Sequence, residues 1–351
     1  MFSLPSLSPL LLLLSSSPFL HVLLPSLLIF LPPLLYFIFS PYLSALSSDS
    51  LYPFTEIALP SKGKAQQKKT APAVSQGASP PLYLSLVVPA YNESDRLPAM
   101  LSSTAAFLSS WPGTSSAKPT EIIVVSDGST DATVSTLLAL SSSLPLPPHV
   151  SLRVLSLTSN RGKGAAIRTG VLASSGSTVL MVDADGATDI TELPSMLAAL
   201  SSLPPSPAGR CVVGSRAHLQ AEATAERTLL RTVLMKSFHF FVSLLCSSSV
   251  HDTQCGFKLF DRRSALLLFS SLHLDRWAFD VELLTLASSL KVSLSEKPVR
   301  WREIEGSKLD TGKLALAYNS VTMLRDMVCV KACYGAGLWR VPEVKREGGG
   351  K

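Results

Sequence analysis

The chain has 351 residues, long enough for one large core or two modest ones, and carries 31 Lys+Arg against 25 Asp+Glu. An excess that small, with no helix-turn-helix, zinc-finger or RRM pattern, excludes nucleic acid as a partner class. Mean hydropathy is +0.32, and the apolar excess sits in the first 48 residues, which hold no Asp, Glu, Lys or Arg.

Phe19 to Phe39 is almost wholly Leu, Ile, Phe, Val and Pro. About 20 apolar residues suffice for a membrane-crossing helix, and such helices tolerate prolines like Pro25, Pro32 and Pro33 better than soluble ones do. Residues 1–48 therefore read as a single hydrophobic membrane anchor. The rival reading is a cleaved signal peptide, which would carry a positive start and a shorter apolar core; a transit peptide would carry arginines. Lys62, Lys64, Lys68 and Lys69 follow the anchor and no cation precedes it, so the positive-inside tendency puts the remainder in the cytosol. Residues 49–81 read as a basic, Pro-rich linker, flexible from Thr70 to Pro81.

From Leu82 onward strands and helices alternate. Leu82 to Val88 is a strand running into Pro89-Ala90-Tyr91-Asn92-Glu93, and Leu97 to Ser109 a helix. Glu121 to Val125 is a strand ending at Ser126-Asp127-Gly128-Ser129, and a helix starts at Asp131. Val150 to Leu157 is a strand, Asn160-Arg161-Gly162-Lys163-Gly164 a turn, and Gly164 to Ala173 a helix. Thr178 to Val182 is a strand ending in Asp183-Ala184-Asp185-Gly186. Thr191 caps a helix through Leu200, and Arg210 to Gly214 is a fifth strand. This rhythm predicts an α/β fold, a mainly parallel sheet covered by helices on both faces, over residues 82–312. Beyond Gly214 it changes: Thr224 to Leu245 is helical with Arg227 and Arg231 on one face, His251 to Arg263 irregular, Leu274 to Ser289 helical and Val292 to Trp301 a strand. Residues 313–351 read as a carboxyl-terminal amphipathic helix and tail, either interfacial or packed on the domain. The five cysteines form no CxxC pair, against a disulfide framework or zinc site and in keeping with a reducing compartment.

Four strand ends fall on one edge of such a sheet, where open α/β sheets bind ligands. Asp183 and Asp185, one residue apart, suit a divalent metal that prefers oxygen and bridges phosphates. Arg161 and Lys163 with two glycines at a helix start suit an anion, without the Walker spacing. Asp127 at a strand end suits a ribose or base N–H. The sum is a metal-dependent enzyme acting on a nucleotide diphosphate compound.

The ordered set VVPAYNE, VVSDGSTD, NRGKGAAIRTG, VDADGATD, GSR, DTQCGFKLF, RWAFDVELL and EIEGSK resembles family 2 glycosyltransferases with the GT-A (Rossmann-like) fold, over about residues 82–333. More narrowly, DADGATD, DTQCGFKLF and WAFDVELL are similar to the eukaryotic branch that moves glucose from UDP-glucose to dolichyl phosphate for protein N-glycosylation. The resemblance implies an enzyme of the endoplasmic reticulum membrane, single-pass, with its catalytic domain facing the cytosol and in contact with membrane lipid. It implies that Pro89, Tyr91, Glu93 and Asp127 line a uridine pocket, that Arg161 and Lys163 lie near the diphosphate, and that Asp183 and Asp185 hold Mg²⁺ or Mn²⁺. Asp189 is a further ligand or a helix cap. Arg216, Arg227 and Arg231 are candidates for phosphate contacts, Arg231 on the acceptor side, and Arg302 and Lys308 would grip the lipid phosphate. Asp280 or Glu282 falls where relatives acting on sugar hydroxyls place a base; Asp280 orients the sugar first and serves as a base second, and with Asp185 and Arg216 it makes up the catalytic set. A phosphate acceptor, with a second pKa of about 6, is already largely anionic at neutral pH. Two alternatives are a GDP-mannose-dependent sister activity and a non-catalytic nucleotide- or lipid-binding relative.

Overall fold

The computed structural model describes residues 18–47, 52–57, 59, 82–217, 250–304 and 313–344. Its strands are β1 (Phe54–Ile57), β2 (Leu82–Ala90), β3 (Thr120–Ser126), β4 (Val150–Leu157), β5 (Gly176–Met181), β6 (Arg210–Ser215), β7 (Lys258–Asp261) and β8 (Ser293–Pro298). They form one sheet in the order β1-β4-β3-β2-β5-β7-β6-β8. Its centre, β4-β3-β2-β5, is parallel. Strand β1 adds antiparallel to β4 at one edge, and β7 runs antiparallel between β5 and β6. The central strands are short Val/Ile/Leu runs, and all seven residues of β3 are buried, as in sheets covered on both faces.

The helices are α1 (Pro18–Ser47), α2 (Leu97–Ser110), α3 (Thr133–Ser143), α4 (Lys163–Ala173), α5 (Leu193–Ser202), α6 (Arg262–Ser270), α7 (Phe279–Ser289) and α8 (Lys313–Gly335). Side chains alternate across a strand, and the two cores follow that period. Val87, Ile123, Val125 and Leu155 pack against α4, α6, α7 and α8. Leu86, Val88, Ile122, Val124 and Val154 face the other way, onto α2, α3 and α5. Right-handed crossovers between parallel strands put every βα loop at one edge, so the turns after β2, β3, β4 and β5 meet there. A polar contact secures the other end: Glu121, buried within β3, takes Arg153 Nη1 at 2.9 Å and Ser85 Oγ at 2.6 Å.

Several expectations are corrected. The segment read as irregular, His251 to Arg263, contains strand β7, and helix α6 follows it directly. Asp261 caps that helix by accepting the Ser264 N–H. Helix α7 begins at Phe279 rather than Leu274, and β8 ends at Pro298 rather than Trp301. Thr191 does not cap α5: Asp189 accepts the Thr191 N–H at 2.9 Å and starts a 3₁₀ turn, Ile190–Glu192, that feeds the helix. Strand β1 lies in the stretch read as linker.

The apolar amino-terminal run forms α1. Residues 1–17 lie outside the described residues, so the anchor reading of 1–48 falls partly beyond them. Among the described residues no helix is long and apolar enough to cross a membrane. Phe39, Tyr42 and Ala45 of α1 pack against the core beside α8, and Tyr42 meets Trp339 with ring centroids 6.5 Å apart.

Candidate active site

Three of the four βα loops interlock by backbone capture. After β2, Asn92 adopts φ 55°, a left-handed conformation that asparagine tolerates, and its Oδ1 accepts the Thr130 N–H at 2.8 Å from the loop after β3. Asp131 of that loop answers by accepting the Ser94 N–H at 3.3 Å and the Thr133 N–H at 2.9 Å. Asp127, 2% exposed, accepts the N–H groups of Arg161 and Gly162, each at 2.8 Å. Burial pushes its carboxyl up, against the pull of those two N–H groups and of Arg276 and Arg161. Gly128 is required here: its φ is +62°, and a Cβ would sit 2.4 Å from the Ser159 carbonyl carbon. Asp127 thus fixes the start of α4 to the edge of β3.

That start carries Lys163, whose Nζ lies 2.6 Å from Asp183 Oδ1 and 5.7 Å from the Trp277 ring centre. Burial pushes the Asp183 carboxyl up, but Lys163, with Lys258 and Arg216 behind it, holds it below the usual range. Asp185 accepts the Ala187 N–H with Oδ1 at 2.9 Å, and its Oδ2 lies 3.9 Å from Arg96 Nη1. Arg96 is held in turn by Glu93, which accepts from its Nε at 2.7 Å. A loop over the carboxylates closes the other side. Gly256 lies so near that a Cβ would stand 1.9 Å from Asp183 Oδ2.

Asp280, at the first turn of α7, is 3% exposed. Its Oδ1 takes Lys258 Nζ at 2.6 Å, and the same ammonium donates to the Cys255 carbonyl at 2.7 Å. Burial pushes the Asp280 carboxyl up, and the pull of Lys258 and Lys163 offsets that only in part. Lys258 is fully buried, and the sequence reading missed it. The signal was present: a charged residue inside the apolar run Phe257-Lys258-Leu259-Phe260 needs a buried counter-ion.

The predicted residues divide clearly. Asp127, Lys163, Asp183, Asp185 and Asp280 come together at the carboxyl edge of the sheet. Pro89 pairs with Val125 one residue before β2 ends, and Tyr91 beyond it is 40% exposed. Glu93 is spent on Arg96. Arg161 gives its backbone N–H to Asp127, but its guanidinium turns away, 4.9 Å over the Tyr52 ring. Arg216 is held by Asp252 through Nε and Nη2 at 2.7 and 2.9 Å, over Trp301; it reaches the site by its field on Asp183. Arg302 is exposed and donates its N–H to the Ala187 carbonyl at 3.0 Å, beside the acidic turn. Asp189 is a cap. Arg227, Arg231 and Lys308 lie outside the described residues. Glu282, beside Asp280, accepts the N–H groups of His273 and Leu274 at 3.0 and 2.8 Å and the Tyr334 hydroxyl at 2.9 Å, a structural duty.

Whether a metal fits is decided by the donor set. Asp183 and Asp185 offer only oxygen, and the charges paired with them are Lys163 and Arg96. Two carboxylates are a partial shell for a hard cation that takes its other ligands from phosphate and water, as Mg²⁺ does. Among the described residues no group of three or more His, Cys, Asp or Glu is placed to hold a metal without such help.

The glycosyl transferase family 2 profile matches residues 85–267. A dolichyl-phosphate β-glucosyltransferase of Drosophila melanogaster is 46% identical over 280 residues, 80% of this chain and 83% of its own length. The human protein of that name is 42% identical over 281 residues, 80% of this chain and 84% of its own. A solved glucosyl-3-phosphoglycerate synthase of Mycobacterium tuberculosis with bound UDP matches at TM-score 0.49 and 19% identity, over 70% of this chain and 80% of that one.

Proposed function

The chain belongs to glycosyl transferase family 2, and from that premise we propose that its site transfers glucose from UDP-glucose to dolichyl phosphate, in line with the activity its relatives are named for. The product is dolichyl β-D-glucosyl phosphate, the glucose carrier for protein N-glycosylation. The observation that carries the mechanism is the locked Asp280–Lys258 pair. With one oxygen taken by a buried ammonium at 2.6 Å, Asp280 is held in place as a fixed dipole that orients the sugar. A sugar hydroxyl acceptor would need a base there; a phosphate acceptor, already anionic, needs position and charge neutralisation.

The step is one in-line displacement. An acceptor phosphate oxygen forms the bond to the glucosyl C1 while the bond from C1 to the UDP oxygen breaks, its electron pair leaving with UDP and the anomeric centre inverting from α to β. Asp183 and Asp185 would hold Mg²⁺ or Mn²⁺, which supplies charge stabilisation for the leaving diphosphate when bound. Lys163, now against Asp183, would turn to a phosphate oxygen, with the α4 amino-terminus adding its dipole. Pro89, Tyr91, Glu93 and Asp127 bound the nucleoside end. The Asp252-held Arg216 keeps the sugar end electropositive. Arg302, at the acidic turn, with Lys308 and Arg231, would meet the acceptor phosphate.

We place the enzyme at the endoplasmic reticulum membrane with its catalytic domain in the cytosol. The support is the uncharged amino-terminal run, the lysines on its carboxyl side and the exposed apolar side chains of α1, from Phe30 to Leu43.

Asp185→Asn tests the reading, since it removes ligand charge at constant size. It should leave the fold intact and lower kcat by about a hundredfold or more, because Lewis-acid stabilisation of developing charge is worth several kcal/mol. Transfer at the wild-type rate would remove the metal from the mechanism.

A further inference from the structure

A second polar cleft opens between helices α1 and α8 and the loops that follow β4 and precede α7. It measures about 330 Å³ and is lined by Ser40 and Ser44 of α1, Asn160 and Arg161 of the loop before α4, Arg276, and Arg325 of α8. The acids that border it are already engaged. Asp275 accepts the Tyr52 hydroxyl, and Asp326 accepts Arg325 Nε at 2.8 Å. Three arginines therefore line the cleft against two carboxylates, of which Asp326 is paired with Arg325 itself and Asp275 takes the Tyr52 hydroxyl.

The surroundings say which anion. The same two helices expose apolar side chains beyond the cleft's lining residues: Phe30, Leu34 and Tyr36 of α1, at 69%, 52% and 68%, and Tyr318 and Val321 of α8, at 70% and 55%. Neighbouring helices that present large apolar side chains mark a surface made for a non-aqueous partner. Arg325 lies on the boundary, its guanidinium 5.3 Å from the ring centre of Phe37 in α1. Arg325 thus stands where the apolar side chains of α1 meet the cleft's cations, an arrangement that suits a basic residue at an anionic leaflet.

The geometry points to a binding site for the phosphate headgroup of an anionic membrane phospholipid, distinct from the acceptor lipid. This rests on the reading of the chain as an enzyme of a membrane surface. Occupancy would brace the Asn160–Gly162 turn, because the Asp275 carbonyl beside it accepts the Ala165 N–H at 3.0 Å. Phospholipid bound there would order the start of α4 and so favour nucleotide binding.

The test uses the full chain in phosphatidylcholine vesicles with and without phosphatidic acid, alongside Arg276→Gln and Arg325→Lys. Each basic residue near an anionic leaflet contributes about 1 kcal/mol, about fivefold in affinity. Phosphatidic acid should lower the KM for UDP-glucose in the wild type and slow amide exchange at 160–162 and 273–276. Arg276→Gln should weaken that response about fivefold while keeping the basal rate in phosphatidylcholine, and Arg325→Lys should keep charge but blunt the response. Unchanged responses in both variants would overturn the site. So would equal protection by inorganic phosphate, which would make it a site for a free anion. Glucose transfer in phosphatidylcholine alone reports on the enzyme reading separately: its absence would remove that premise, whereas transfer without a phosphatidic acid response would remove only the cleft.

Discussion

Lys258 and Asp280 form an ion pair with 0% and 4% side-chain exposure. Breaking a buried pair by removing one partner costs about 3–5 kcal/mol, because the remaining charge has no solvent. Lys258→Met should therefore destabilise the protein by about that much, and adding Asp280→Leu should recover most of it, since the two effects are coupled. Denaturant titration of the three variants checks this, and strict additivity would show that the pair is not the unit described. Gly256 is constrained for a different reason. A methyl group there would stand 1.9 Å from Asp183 Oδ2, so Gly256→Ala must displace either the loop or the carboxylate. Transfer should fall steeply while secondary structure, read by circular dichroism, stays unchanged. Full activity in that variant would mean that the loop moves away from Asp183 in the working state.

At the scale of elements, the loops are joined by short polar side chains that cap as well as bridge. Asp131 sits at the head of α3 and holds the loop after β2 through the Ser94 N–H. Hydrogen bonds from Thr133 and Ser94 outweigh desolvation and lower its pKa from 3.8 to about 2. A depressed carboxyl stabilises the fold above its unfolded pKa and loses that contribution as pH falls through the folded one. Asp131→Ala should thus cost about 0.5–1 kcal/mol near neutral pH, the lower half of the range for a cap because the group is exposed. The difference from wild type should vanish as the pH drops from 3.8 to about 2; a gap that persisted at the acid end would assign the effect to something other than charge. The same elements show what a sequence can disclose. Asp183 and Asp185 were legible because carboxylates ending an apolar strand have few structural uses. The parallel core was legible because its strands are continuous apolar runs separated by helical periods. Strand β1 was not, since four residues at a sheet edge, Phe54-Thr55-Glu56-Ile57, carry too little pattern and depend on β4 for a partner. Strand β7 was hidden because a four-residue strand with a lysine in it reads as a loop until Asp280 is brought alongside. The turned-away Arg161 could not be foreseen: its direction is set by Tyr52, far earlier in the chain.

At the scale of the molecule, the two faces of the sheet do different work. Helices α2, α3 and α5 close one side, while α4, α6, α7 and α8 on the other link the catalytic edge to α1. Glu282 is the joint, binding the loop at His273 and Leu274 and the Tyr334 hydroxyl of α8 with one carboxylate. Trp339 stacks on His273 at 4.2 Å and holds the chain beyond α8 to the same loop. The helices that present apolar side chains outward are thereby tied to the helix that carries Asp280, which suits an enzyme joining a soluble nucleotide sugar to a lipid. The most direct measurement is transfer of radiolabelled sugar to dolichyl phosphate in detergent by the full chain. UDP-glucose and GDP-mannose would be offered separately, each with Mn²⁺ or with EDTA. Glucose transfer alone, abolished by EDTA, is the expected result. Mannose transfer, or glucose transfer that EDTA leaves untouched, would contradict it.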